Sequence, residues 1–316
     1  MCCESDLGLP TLRTAQVAGS AVTYTLQGPA EGPAILYFHG WGDDYRIVCR
    51  LEYPLIQAGY RLLVVHRPGY AGTALDDQQR GESSRRSVQG CARIAAALVS
   101  ELCGDKAVYV VGTSGGAPAA LAFADLHADK TIGLILQAGV TQPWTDPKYV
   151  PAQLRNVYIA AFERGHWLGE RLSRLLFVLW VAVKDSRLTD ADRLQALMGS
   201  RLSEVKDDPA FERIASCILQ EDKVNRPGEI NDIRHVLLAR SAYCRWDRIR
   251  SPTLIIHDPQ DAFVPFVHAE EAARKIPHAQ MRAYRLGGHI VWMGKDAQRM
   301  HADRLRFLHS TMRPLP

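Results

Sequence analysis

Short apolar runs, too continuous for strands with one face in water, recur along this chain. Residues 34–38, 61–65, 107–111 and 132–136 are such runs, and 252–256 repeats the pattern after a long gap. Between them lie segments with helical spacing. One covers 47–58 and is stopped by Gly59; another covers 87–102, where Ile94, Leu98 and Leu102 recur on one face and Gly104 ends the helix. Strands buried on both faces and alternating with helices imply a parallel sheet covered on two sides. Ahead of them, 11–17 and 21–26 read as two strands joined around Gly19-Ser20, with Val22, Tyr24 and Leu26 alternating onto one face. A chain of 316 residues can bury such a core as one large domain with an insertion, or as two smaller ones.

The rhythm stops after Gly139. From 141 to 245 no strand pattern appears, only helical segments, one opening at Asp208-Pro209 and one over 229–242, with Arg226-Pro227-Gly228 marking a break before the latter. Strands return at 252–256 and 281–286, with helices over 266–275 and 297–311. The reading is therefore 1–140 as the first part of a core, 141–245 as a helical insertion and 246–316 as the second part.

The run at 107–111 leads into Gly112-Thr113-Ser114-Gly115-Gly116, and a helical stretch rich in small residues follows at 118–124. A bare G-x-S-x-G pattern would arise by chance in about one chain in ten of this length. Strand, sharp turn and helix in that order make it a nucleophile elbow, which lifts the Ser114 hydroxyl above the sheet at a helix N-terminus. A serine hydroxyl is a poor nucleophile at neutral pH and needs a base, which in turn needs an orienting acid. The base candidate is His289, in Leu286-Gly287-Gly288-His289 directly after the last expected strand, where side chains at the carboxyl end of a parallel sheet collect. The acid candidate is Asp261, because its distance from the strand at 252–256 leaves room for a turn toward the histidine; Asp258 is the rival. An oxyanion would be held by two backbone N–H groups, that of Gly115 and that of Trp41 in His39-Gly40-Trp41-Gly42, with His39 buttressing the loop by hydrogen bonding.

The order Ser114, Asp261, His289, with His39-Gly40-Trp41 before it, resembles the α/β-hydrolase superfamily. Residues 66–73 (His66-Arg67-Pro68-Gly69-Tyr70-Ala71-Gly72-Thr73) look like the family's D-x-P-G-x-G-x-S loop, with His66 and Thr73 in place of Asp and Ser. Residues 246–265 are similar to the family segment leading to the acid, except that Asp258 stands where a Gly is usual. The resemblance implies an α/β-hydrolase fold: about eight mostly parallel strands flanked by helices, with an inserted all-helical cap between the sixth and seventh. It also implies Ser114 as nucleophile, Asp261 as acid and His289 as base.

Serine at the nucleophile position argues against dehalogenase and epoxide-hydrolase chemistry, in which those relatives use Asp. The expectation is a carboxylic-ester hydrolase acting through an acyl-enzyme. Proline-iminopeptidase and carbon–carbon bond hydrolase activities on the same triad are alternatives, as is a non-catalytic binding protein of the same fold. An iminopeptidase would need an acidic cluster in the cap, for which Glu163, Glu170 and Glu204 are available. Trp144, Tyr149, Tyr158, Phe162, Trp167, Phe177 and Trp180 enrich the first half of the cap in aromatics, either as its packing core or as an apolar pocket for an aromatic or acyl-chain small molecule.

Composition excludes other classes. A formal charge of +4 is mild, and the basic clusters at 80–86 and 164–174 lack interleaved aromatics, which argues against nucleic acid. The most apolar run, 175–183, is half the length of a membrane span and reads as a buried helix segment. Seven scattered cysteines, an odd number without C-x-x-C spacing, and no secretory signal point to a reducing cytoplasm; Cys2 and Cys3 read as a disordered tip. No cofactor or metal is indicated: H-E-x-x-H, a P-loop and G-x-G-x-x-G after a strand are all missing. A monomer and a homodimer are both compatible with the sequence.

Overall fold

The computed structural model describes residues 10–42, 45–75, 84–104, 106–160, 189–219, 226–239 and 241–312. Several expectations lie outside these: Cys2, Cys3, Phe162, Trp167, Phe177, Trp180, Glu163, Glu170, the run at 175–183, the basic cluster at 164–174 and Arg80 of the first cluster.

Eight strands form one sheet: β1 (Arg13–Val17), β2 (Ser20–Gln27), β3 (Ala34–Phe38), β4 (Arg61–Val65), β5 (Val108–Thr113), β6 (Thr131–Gln137), β7 (Thr253–His257) and β8 (Ala279–Ala283). Their spatial order is β1-β2-β4-β3-β5-β6-β7-β8; β2 is antiparallel to its neighbours and β3 to β8 are mutually parallel. Every residue of β5 and β7 is buried, as continuous apolar runs require when helices cover both faces. On one face lie α3 (Val88–Cys103) and α4 (Ala117–Leu126); on the other lie α1 (Tyr45–Leu51), α2 (Tyr53–Gln57) and the terminal helix. Ser87 caps α3 by accepting the Gly90 N–H, and Gly104, at φ 65°, ends it.

Between β6 and β7 the described residues contain helices and no strand: α5 (Ala152–Ile159), α6 (Asp190–Met198), the single turn α7 (Leu202–Val205), α8 (Phe211–Leu219) and α9 (Arg226–Asp232), which runs into a π-helical turn over Ile233–Leu237. Then come α10 (Val267–Lys275) and α11 (Ala297–Thr311).

Four local expectations are corrected. The single helix over 47–58 is two, broken at Glu52, because Pro54 fits only the first turn of a new helix. Arg226-Pro227-Gly228 is the first turn of α9 rather than a break, for the same reason, and the helix ends at the π turn instead of reaching 242. Asp208 lies three residues ahead of α8, and its carboxylate caps a turn by accepting the Ala210 N–H at 2.8 Å. The last strand lies two to three residues earlier than expected. The amides of Arg285 and Leu286 donate to the carboxylates of Asp296 and Asp258, at 2.9 Å each, in place of a strand ladder.

Candidate active site

Ser114 follows β5, at the centre of the sheet, and has φ 50°, a left-handed backbone conformation. The turn is crowded on both sides. A Cβ on Gly112 would lie 2.6 Å from Ala120 Cβ, and one on Gly116 would lie 2.2 Å from the Phe38 carbonyl, so only glycine fits either place. Val140 N–H, just beyond β6, donates to the Ser114 carbonyl at 3.0 Å and fixes the elbow.

The loops after β7 and β8 bring two further side chains to this serine. His289 Nε2 lies 2.9 Å from Ser114 Oγ, and His289 Nδ1 lies 2.8 Å from Asp261 Oδ2. An ionised carboxylate only accepts, so the imidazole proton sits on Nδ1 and Nε2 is free to accept the serine proton. Asp261 is completely buried as a side chain, and its Oδ1 accepts the N–H groups of Phe263 and Val264, both at 2.8 Å. Burial alone would raise this carboxyl. Electrostatic attraction to His289 and the hydrogen bonds from His257 and His289 outweigh it and hold Asp261 well below the usual carboxylate range. His257 had not been singled out from the sequence: its Nε2–H donates to the Val264 carbonyl at 2.9 Å and lies 3.3 Å from Asp261 Oδ2.

Asp258, the rival carboxylate, faces elsewhere. It takes Arg201 Nε at 3.0 Å and Nη2 at 3.1 Å, so its oxygens are held by the inserted segment and not by His289.

The loop after β3 lies beside the elbow: a Cβ on Gly115 would stand 3.3 Å from the Trp41 amide nitrogen. His39 ties this loop to the one after β4, with Nδ1–H donating to Gly40 O at 2.9 Å and Nε2 accepting from Arg67 N–H at 3.2 Å. Burial, then the neighbouring Arg67 charge, keeps His39 well below the ordinary histidine range, hence neutral. Arg67 was not anticipated. Its guanidinium donates to His39 O (3.1 Å), Gly40 O (2.9 Å) and Asp232 Oδ1 (2.5 Å), joining the Trp41 loop to the residue just before the π turn. Thr73, standing where the family's loop commonly has Ser, keeps its loop closed by donating to His66 O at 3.0 Å.

Over Ser114 is a narrow, largely apolar cavity, part of it open to solvent. Trp41, Gly115, Val140 and Phe263 wall it from the core, and Trp144, Tyr149 and Leu237 close it from the inserted segment. Of the aromatics expected in that segment, Trp144 and Tyr149 line the cavity, while Tyr158 is buried beside it and donates its hydroxyl to Trp144 O at 2.5 Å. His268 also borders the cavity. Its Nδ1 accepts from the amides of Thr141 (3.1 Å) and Gln142 (3.3 Å), and its Nε2–H donates to Tyr149 O at 3.0 Å. Burial depresses it to about 4, so it is neutral as well. No charged side chain lines the cavity among the described residues.

Among the described residues, no group of three His, Cys, Asp or Glu side chains is placed to hold a metal ion, and no helix is long and apolar enough to cross a membrane.

Comparison with known proteins agrees with this architecture. A hydrolase of Bacillus subtilis, YcgS, itself uncharacterized, is 27% identical over 92% of this chain and 96% of its own length. A 2-hydroxy-6-oxononadienedioate/2-hydroxy-6-oxononatrienedioate hydrolase of Cupriavidus pinatubonensis is 27% identical over 86% of this chain and 81% of its own. Among solved structures, an alpha/beta hydrolase fold protein from Nakamurella multipartita superposes with a TM-score of 0.69 at 24% identity, covering 95% of this chain and 99% of its own. The model of the Alpha/beta hydrolase family matches residues 35–302, from the third strand into the first turns of the last helix, and the chain belongs to that family.

Proposed function

We propose that this hydrolase cleaves an uncharged carboxylic ester through an acyl-enzyme on Ser114. The observation that carries the reading is the unbroken hydrogen-bonded series Asp261–His289–Ser114, opening onto an apolar cavity. His289 Nε2 removes the Ser114 proton as Oγ bonds to the ester carbonyl carbon. The oxyanion so formed is held by the N–H groups of Trp41 and Gly115. The carbon–oxygen bond to the alcohol then breaks, and the alcohol leaves with the proton from His289. Water, deprotonated by the same nitrogen, releases the acid and restores Ser114. Asp261 fixes the imidazole tautomer and stabilises its cationic form. The inserted segment 141–245 serves as the cap that shapes the substrate site. Its aromatic walls suit an aromatic or acyl-chain group. The odd, scattered cysteines support a cytoplasmic setting.

A second reading is favoured by five relatives that share one name, the Cupriavidus protein among them. The Cupriavidus protein is named for hydrolysis of a dioate, a substrate with two carboxylates. Against transfer of that activity stands the described lining, in which no cation faces the cavity.

Labelling with a fluorophosphonate, followed by peptide mapping, tests the reading. A single adduct on Ser114, lost in H289A, is expected, with turnover of neutral p-nitrophenyl esters. A folded protein without an adduct, or one that turns over a vinylogous diketone dioate in preference to every ester, overturns it.

A further inference from the structure

One tight turn of the inserted segment touches both loops that carry Asp261 and His289. Helix α6 ends at Met198, and Gly199, at φ 55°, redirects the chain into a 3-10 turn over Gly199–Arg201. The carbonyl of Leu197 accepts the backbone N–H of His289 itself, at 2.9 Å. A Cβ on Gly288 would lie 2.7 Å from Met198 O, and one on Gly199 would lie 2.8 Å from Ala262 Cβ. The turn is thus seated backbone-first against the residues flanking both partners of Ser114. Ser200 Oγ adds a bond to Gln260 Oε1 at 3.1 Å.

Asp258 completes the junction. Its carboxylate is fully buried and takes four N–H donors, one backbone and one guanidinium donor on each oxygen. The backbone donors are Gln260, adjacent to Asp261, and Leu286, on the His289 loop, both at 2.9 Å. The other two come from Arg201, whose Nη1 is held by Glu204 at 3.0 and 3.1 Å. Glu204 in turn accepts from Arg285 Nε at 2.8 Å. Asp258 therefore ties the acid loop to the base loop, and Arg201 ties both to the inserted segment.

We propose that the turn at residues 197–201 is a latch that sets the register between His289 and Asp261, with Arg201 as its positioning residue. Hydrolysis then requires the inserted segment to be seated, an inference that rests on the roles proposed for Asp261 and His289. The Leu197 contact is made by backbone, so Arg201 is the side chain through which the latch can be weakened. R201A would strand a buried carboxylate and perturb folding. The informative variant is the double R201Q/D258N, which keeps the shape of residue 258, removes both charges and leaves amides that can still pair. R201K keeps the charge but loses the two-pronged geometry.

For each variant the experiment compares melting temperature, kcat and KM on an ester, the fluorophosphonate rate at Ser114, and the downfield proton resonance of His289 Nδ1–H. Expected for R201Q/D258N is a folded protein with kcat and labelling rate reduced about 10- to 100-fold, as a slightly misplaced group gives. KM should be little changed and the Nδ1–H resonance weakened, with R201K intermediate. Unchanged kcat and resonance, or a change confined to KM, overturns the latch. Absence of labelling in the wild-type protein would overturn the hydrolase reading instead. The resonance comparison still decides the latch in that event, a signal equal in wild type and variant counting against it.

Discussion

The Tyr37 hydroxyl lies 2.6 Å from Thr113 Oγ1, one residue before Ser114, and both belong to a buried network centred on Glu52. The Glu52 carboxylate accepts from Tyr37, Gln137 and Trp292, and forms a buried ion pair with Arg304. Burial would raise its pKa, but the Arg304 charge and hydrogen bond, with lesser help from His301 and Gln137, leave it lowered. Since Trp292 lies three residues past His289, the network underlies both the elbow and the base loop.

E52Q leaves the buried Arg304 guanidinium without its counter-charge, so it should destabilise the fold by about 3–5 kcal/mol. The apolar double variant E52L/R304M should recover most of that stability. Denaturant titration of both proteins checks this. An E52Q loss below about 1 kcal/mol would show that the pair contributes little.

The strained backbone of Ser114 gives a second expectation. S114A and S114G both remove the proposed nucleophile and its bond to His289, so both should abolish the proposed ester hydrolysis while folding. They differ in backbone: a left-handed conformation costs an alanine about 1–2 kcal/mol, partly offset by the greater entropy glycine loses, about 0.5–1 kcal/mol. S114G should therefore be more stable than S114A by roughly 0.5–1 kcal/mol. Equal melting temperatures would mean that the turn is unstrained.

The two candidate acids separate by substitution. D261N keeps shape but offers the wrong tautomeric partner to His289, and its kcat should fall by about 10⁴-fold. D258N removes a charge from the Arg201 junction without touching the imidazole, so its kcat loss should stop near 100-fold, accompanied by lower stability. Equal kcat losses would sink Asp261 as the acid.

Histidine burial predicts the acid limb of stability. His268 is depressed to about 4 by burial, and His301 to about 4 by burial and the nearby Arg304 charge. In the unfolded chain such groups take up a proton near pH 6.5. Between those values the unfolded state binds more protons, so stability is full above about pH 6.5 and is lost as pH falls toward 4. H268Q can reproduce both the accepting and the donating bonds without titrating. Its melting temperature should fall less steeply over that window than that of the wild type. Identical slopes would remove His268 from the account.

The stabilising contacts around the site differ in how far they could be read ahead. G-x-S-x-G, the Gly-flanked His289 and the Asp261 turn each follow a strand, so local pattern placed them at the carboxyl edge of the sheet. Asp258 gave a partial signal, standing where similar proteins have glycine, yet its partner Arg201 lies 57 residues away. Arg67 and Asp232 are 165 residues apart, and Glu52 and Arg304 are 252 apart. Charged residues at such separations look like ordinary solvated surface in a linear reading. His268 sits on a helix whose spacing says nothing of the three backbone groups it binds.

Hydrophobic periodicity and the chemistry of one turn determine, from sequence alone, the parallel sheet, the helical stretch between β6 and β7, and the short list from which Ser114, His289 and Asp261 come. Those signals are local, because strand and helix periods and glycine's backbone freedom act within a few residues. Only the tertiary structure decided which carboxylate faces His289, that the cavity is walled without charge among the described residues, and that one turn of the inserted segment holds the His289 backbone. These depend on which distant side chains are desolvated together, and a buried charge is tolerated only where folding delivers its partner.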